Sequence, residues 1–416
     1  MDVIKEKCTI SSAYVYVYTL SSGIKCYIIP KSGFKTYMAM AVVKFGSGDT
    51  MFKQNGDFTQ IPSGTAHFIE HKLFDKKDKS IFTELSKSGA YVNAFTDFVK
   101  TAYYFSCSDG FYNNLRLLMD MIKEPYFDES GVENEKSIIK SEINMYKDIP
   151  ERAVFSNLTK LMYPDTALGC EIAGSDKSVE KITPEILYAC YNAFYTPENI
   201  SIICSGDIEP EKAALIVQET DFTSKGAERI KEEIVPNKIN DYVSKRFDVS
   251  EPLFNIGFNH QGFEVCPENT YALKMVFDIL SGEGSKLYER LLNKQILTEP
   301  LGFSLVCTPS SVCSVISGRS QKPAYAANSF IKTSSLLIKT GVGDTAVKRI
   351  KKMYAGRVIR GYNSINAILN AQADLAISGF SLIDAEKAIV DITSDKINSM
   401  ALEAFKRSNA YLSVIK

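Results

Sequence analysis

The chain has 416 residues, 45% of them apolar and 23% charged, with 48 Lys and Arg against 49 Asp and Glu. This length points to two or three domains, and the near-neutral balance argues against nucleic acid or an anionic membrane as partner. No run of 18 apolar residues occurs, which excludes a hydrophobic spanning helix, and the start from Met1 to Cys8 alternates charged with apolar residues, unlike a secretory leader. A cytoplasmic location is therefore expected.

Taken in chain order, Tyr14–Leu20 and Ile24–Ile29 have strand composition around the turn Ser21-Ser-Gly23. A longer β-type run, Tyr37 to Phe45, ends at Gly46-Ser47-Gly48. After the small residues Ser63-Gly64 the spacing becomes helical from Thr65 to Phe74. A strand pair follows at Ala90–Phe95 and Thr101–Phe105. Helices are expected over 111–123 and 131–147, the second stopping short of Pro150.

The second half repeats this plan. Ile182-Thr183, Ala193-Phe194 and Asn199 recur 210 or 211 residues later as Ile392-Thr393, Ala404-Phe405 and Asn409, and Met145-Tyr146 recurs as Met353-Tyr354. The fold class expected is α+β, with two homologous domains in which helices pack on a mixed sheet. The polar stretch after residue 222 suits a linker. The expected division is 1–222, a linker at 223–241, and 242–416.

Nine cysteines lie scattered with no Cys-x-x-Cys pair, which supports neither a disulfide framework nor a cysteine metal site. Histidine is scarcer, with three in all, and two of them fall in His67-Phe-Ile-Glu70-His71. On a helix, positions i and i+4 share a face, so both imidazoles can reach one metal ion while Glu70, at i+3, serves as an adjacent base. Phe68, Ile69, Leu73 and Phe74 can bury the opposite face. His260 stands alone and is read as structural.

A catalytic zinc needs a third protein ligand. The stripe Glu135, Ile138, Ile139, Glu142 on the expected helix offers two carboxylates beside residues that should pack inward. Read from these residues alone, the stripe could equally be a solvated acidic face.

With these motifs the chain resembles the inverzincin zinc peptidases that include pitrilysin, insulin-degrading enzyme and the mitochondrial processing peptidase, and is most similar to their short bacterial two-domain members. The likeness spans nearly the whole chain and rests on His67-x-x-Glu70-His71, Glu135-x6-Glu142, and Asn93-Ala94-Phe95-Thr96 with Tyr103 after it. It implies one Zn2+ per chain on His67, His71 and Glu142, with Glu70 as base and Glu135 as a supporting carboxylate needed for catalysis. It also implies that Asn93–Thr96 is the edge strand to which peptide substrate adds, and that the chain is half of a four-domain clamshell.

The second half departs from its counterpart. The repeat offsets place Ile350 opposite Glu142, and a histidine-free segment near Met275 opposite His67, so a single metal site is expected. Ser281-Gly-Glu-Gly-Ser-Lys286 lacks the Gly-x4-Gly-Lys spacing of a phosphate loop and reads as a small-residue start to a helix over 286–294. Where the resemblance implies an Arg and a following Tyr that complete the active site across a clamshell, this chain has Leu292, and no Tyr occurs from 289 to 324. The expected function is a zinc endopeptidase acting on peptides or unfolded segments, including precursor or leader peptides. It is expected to work as a dimer, a heterodimer with a homologous Arg/Tyr-bearing subunit ahead of a homodimer. The competing reading is a non-catalytic or regulatory scaffold subunit of such a dimer.

Overall fold

The computed structural model describes residues 1–222, 226–232 and 240–416. In chain order its strands are β1 (Asp2–Lys7), β2 (Tyr14–Thr19), β3 (Lys25–Pro30), β4 (Tyr37–Val43), β5 (Met51–Gln54), β6 (Asp57–Gln60), β7 (Tyr91–Thr96), β8 (Thr101–Cys107), β9 (Ile200–Gly206) and β10 (Glu228–Arg229). Five more follow: β11 (Tyr242–Lys245), β12 (Leu253–Asn259), β13 (Gly302–Cys307), β14 (Val312–Arg319) and β15 (Ala410–Ile415). The helices are α1 (Thr65–Lys72), α2 (Ile81–Lys87), α3 (Phe111–Lys123), α4 (Glu129–Lys147), α5 (Pro150–Met162), α6 (Asp176–Val179), α7 (Pro184–Phe194) and α8 (Pro210–Gln218). The later ones are α9 (Pro267–Ser281), α10 (Lys286–Asn293), α11 (Pro323–Thr340), α12 (Asp344–Gly361), α13 (Ile365–Ala376), α14 (Leu382–Asp391) and α15 (Ser394–Ala404).

These elements form two α+β units. The first comprises 1–143, 172–231 and 357–387; the second comprises 144–171, 232–356 and 388–416. Each therefore takes in a helical segment from the other half of the chain, an exchange invisible to a division by sequence position. The physical reason lies in the sheet faces. In the first unit a seven-stranded sheet runs β1-β2-β3-β9-β4-β8-β7, antiparallel except for β3 beside β9. Met38, Met40 and Val42 on one face of β4 pack with Ile368, Leu369 and Ala373 of α13, so the imported helix covers apolar surface that would otherwise face water. On the other face Tyr103 meets Phe74, just beyond α1, with ring centroids 6.0 Å apart, and its hydroxyl lies 2.8 Å from that of Tyr195.

In the second unit a five-stranded sheet runs β11-β15-β12-β14-β13, with β11 parallel to β15. Alternation along β12 serves two layers. Phe258 meets Phe330 of α11 and Phe405 at 6.0 and 5.1 Å between centroids, while Gly257 faces α5. A Cβ at Gly257 would lie 2.2 Å from Met162 Sδ and 3.1 Å from Leu158, so α5 sits close because that side chain is absent.

The repeat marks have structural meaning. Thr183 and Thr393 are the N-caps of α7 and α15, each side chain accepting a backbone N–H three residues on, at 3.4 and 3.2 Å. Asn199 and Asn409 each end a single 3₁₀ turn that leads into a central strand, β9 or β15. Ser285 caps α10 by accepting from Tyr288 N at 3.1 Å, which is how the small-residue segment starts its helix.

Among the elements before residue 110, the edge strand β1, the hairpin β5–β6 and α2 have no counterpart in the sequence expectations. Of the expected linker 223–241, residues 223–225 and 233–239 lie outside the described residues. The segment 226–231 docks on the first unit: Glu228 and Arg229 pair with β5, and the Arg229 guanidinium bonds the buried Asp49 carboxylate. Strand pairing and an ion pair hold this part of the polar stretch. Burial pushes the Asp49 carboxyl up from its ordinary value, against the pull of Arg229.

Candidate metal centre

The site is built on α1. Its start requires Gly64, which has φ 97°, and a Cβ there would lie 2.6 Å from the Ala173 carbonyl oxygen. Only glycine fits both demands. Phe68, Ile69 and Leu73 are fully buried, anchoring the helix against β7 and β8. The i, i+4 relation then places the His67 and His71 rings 4.5 Å apart.

Glu142 of α4 meets both rings. Its Oε2 lies 3.6 Å from His67 Nε2 and 3.5 Å from His71 Nε2, and one donor atom from each of the three residues falls within 4.8 Å of the others. These oxygen–nitrogen separations are long for hydrogen bonds. They suit donors around a single tetrahedral ion, since bonds of about 2.0–2.2 Å put neighbouring ligand atoms roughly 3.3–3.6 Å apart. Two imidazoles and a carboxylate are also a donor set that zinc accepts.

Glu135, two turns before Glu142, accepts from His71 Nδ1 at 2.8 Å. An ionised carboxylate can only accept, so the ring proton sits on Nδ1 and the lone pair on Nε2 faces Glu142. Burial pulls the His71 pKa down, but the Glu135 hydrogen bond and the charges of Glu135, Glu70 and Glu142 outweigh it and leave the ring above its ordinary value. Ile138, expected to pack inward between the two carboxylates, is 55% exposed, whereas Ile139 is buried. The carboxylates face α1 along the border of the core, and Ile138 lies just outside that border.

Glu70 is 8% exposed, and its Oε2 accepts from Thr96 Oγ1 at 2.5 Å. Burial pushes its carboxyl up; the Thr96 bond and His71 pull it back in part. Thr96 belongs to β7, which carries Asn93, Ala94 and Phe95 as well and is an edge of the seven-stranded sheet, paired among the described residues to β8 alone. Asp97 N donates to Lys100 O at 2.9 Å across the turn, so the Thr96–Thr101 and Ala94–Tyr103 pairs turn their main-chain groups away from each other. Ala94 and Thr96 therefore present N–H and C=O to the free edge. The Ala94 N–H is held meanwhile by its neighbour's Asn93 Oδ1, at 2.8 Å.

The hydroxyl link from Thr96 to Glu70 had no counterpart in the sequence reading, because nothing in local spacing marks a contact across 26 residues. In the second unit Met275 is buried on α9 and Ile350 on α12, and no second metal-type cluster occurs among the described residues. Leu292 is 43% exposed on α10.

Residues 59–176 match the family model "Insulinase (Peptidase family M16)", and residues 181–354 match "Peptidase M16 inactive domain". A Bacillus subtilis (strain 168) protein named uncharacterized zinc protease YmfH is 32% identical over 405 residues, covering 94% of this chain and 93% of its own. The mitochondrial-processing peptidase subunit beta of Dictyostelium discoideum is 28% identical over 228 residues, 52% of this chain and 48% of its own. The crystal structure of an M16-like peptidase from Alicyclobacillus acidocaldarius superposes with a TM-score of 0.91 at 25% identity, covering 97% and 98% of the two chains.

Proposed function

The chain belongs to the insulinase family of peptidases, family M16, and from that premise we propose that it is a zinc-dependent endopeptidase acting on peptides or unfolded segments. The observation that carries this reading is the meeting of His67, His71 and Glu142 donor atoms beside a buried Glu70, next to a free strand edge.

His67, His71 and Glu142 would hold the ion, one per chain. Zinc so held would polarise the scissile carbonyl and acidify a water molecule. Glu70 takes the proton of the attacking water on a carboxylate oxygen and passes it to the nitrogen of the departing amine. Glu135 supports catalysis by holding the His71 ring in the required tautomer.

Substrate adds to β7 as a further strand at Asn93, Ala94, Phe95 and Thr96. Main-chain pairing with Ala94 and Thr96 gives affinity for extended chains of many sequences, which suits unfolded segments and precursor or leader peptides. The Asn93 side chain yields the Ala94 N–H to the substrate carbonyl as the strand docks.

The chain supplies half of a clamshell. Leu292 stands in place of the Arg implied by the family, with no Tyr from 289 to 324, so the oxyanion donors come from a homologous partner in a heterodimer. That a relative is named as one subunit of a processing peptidase supports this arrangement. Nine scattered cysteines with no Cys-x-x-Cys pair suit a reducing compartment, the cytoplasm.

The test is Glu70→Gln assayed against a peptide library with zinc measured in parallel, with and without a co-expressed homologous partner. Loss of turnover with zinc retained supports the reading. Turnover unchanged by the substitution overturns it, and a correctly folded wild-type chain without zinc favours a scaffold subunit. Full activity of the purified chain alone sinks the heterodimer.

A further inference from the structure

Thr96 occupies two places at once. Its main chain lies on the free edge of β7, and its hydroxyl donates to Glu70 Oε2 at 2.5 Å. Thr101 Oγ1 also lies near it, at 3.3 Å. Thr101 is fully buried and its own proton goes to the Phe45 carbonyl, at 2.9 Å. Between a neutral hydroxyl oxygen and a closer carboxylate, the carboxylate takes the Thr96 proton, because a charged acceptor makes the stronger bond. The threonine pair lies on the α1 face of the sheet, since directly opposed residues share a face, and Phe95 and Ala102 point to the α13 face.

Resting on the endopeptidase reading, we propose that Thr96 is a positioning residue for the base: its hydroxyl fixes the Glu70 carboxylate, while its main chain receives the substrate strand. One residue thus joins substrate docking to the orientation of the group that takes the water proton. Among the described residues, no side chain of α1 hydrogen-bonds the Glu70 carboxylate, which takes its bond from Thr96. A carboxylate held at one oxygen keeps the other aimed at the water; released, it samples rotamers that do not reach the proton.

Two substitutions separate hydroxyl from backbone. Thr96→Val keeps the β-branched shape and the strand but removes the donor, and Thr96→Ser keeps the donor. The expected result for Thr96→Val is a fall in kcat of roughly 10- to 100-fold with KM within about two-fold of wild type. Thr96→Ser should recover most of kcat, with zinc content equal in all three proteins. Peptide affinity, read by fluorescence anisotropy, should agree within about two-fold between Glu70→Gln and the Glu70→Gln/Thr96→Val double variant, because the hydroxyl acts on Glu70 rather than on the peptide. A kcat unchanged in Thr96→Val, or a change confined to KM and affinity, overturns the positioning role and leaves the endopeptidase reading intact. A wild-type protein that holds zinc and cleaves no peptide, with or without a partner, overturns both.

Discussion

Glu135, on α4, accepts the Nδ1 proton of His71, on α1, at 2.8 Å, and so decides which nitrogen of that ring can bind a metal. Without it the ring could flip or carry its proton on Nε2, where a cation cannot bind. Glu135→Gln is accordingly expected to weaken zinc affinity by about 10- to 100-fold while leaving the fold unchanged. Competition against a fluorescent chelator measures this directly. Affinity equal to wild type would show that the neighbouring packing alone orients His71.

Zinc removal should soften the first unit. An ion that binds only the folded state stabilises it by about 4 kcal/mol when its free concentration is 1,000 times the dissociation constant. Dialysis against a chelator should lower the melting temperature, and added zinc should restore it. In His67→Ala the same treatment should cause no change, because the ligand set is already broken.

The start of α1 can be tested at Gly64. Its φ of 97° alone costs an L-residue about 1–2 kcal/mol, and the added methyl meets the Ala173 carbonyl. Gly64→Ala should lower both thermal stability and zinc occupancy, since the helix that aligns His67 with His71 would shift. Wild-type values for both would mean that the backbone here has room to adjust.

His260, in the second unit, supplies a pH dependence of its own. The ring is buried, its Nε2 lies 2.9 Å from Ser314 Oγ, and burial holds its pKa down at about 4. With an unfolded value near 6.5, the unfolded chain binds the proton first as pH falls. Stability from this group is complete above pH 6.5 and is lost as pH drops through the range 6.5 to 4, by roughly 2 kcal/mol at pH 5. The loss of urea midpoint between pH 7.5 and pH 5 should therefore be smaller in His260→Gln than in wild type. Equal losses in the two proteins would show that His260 titrates normally.

Much of the site was legible because helix geometry is local. Residues four apart share a face whatever surrounds them, so His67 and His71 could be paired from spacing. The same rule grouped Glu135 with Glu142, and there it stopped. Period alone could not say that this stripe faces α1, nor that Ile138 within it would be exposed. Strand composition marked Asn93 to Thr96, but an edge and a central strand differ little in composition at this length.

What the sequence by itself determined is the set of donors on one helix, the duplicated plan, and the lack of a second such helix in the later half. Each rests on contacts or matches along the chain. Tertiary structure alone decided that β7 lies at an edge, that α13 and α5 exchange between units, that Arg229 pairs with Asp49, and that the Thr96 hydroxyl reaches Glu70. Those outcomes depend on which sheet face remains uncovered and which strand remains unpaired once the whole chain has packed. No local pattern of side chains encodes that choice.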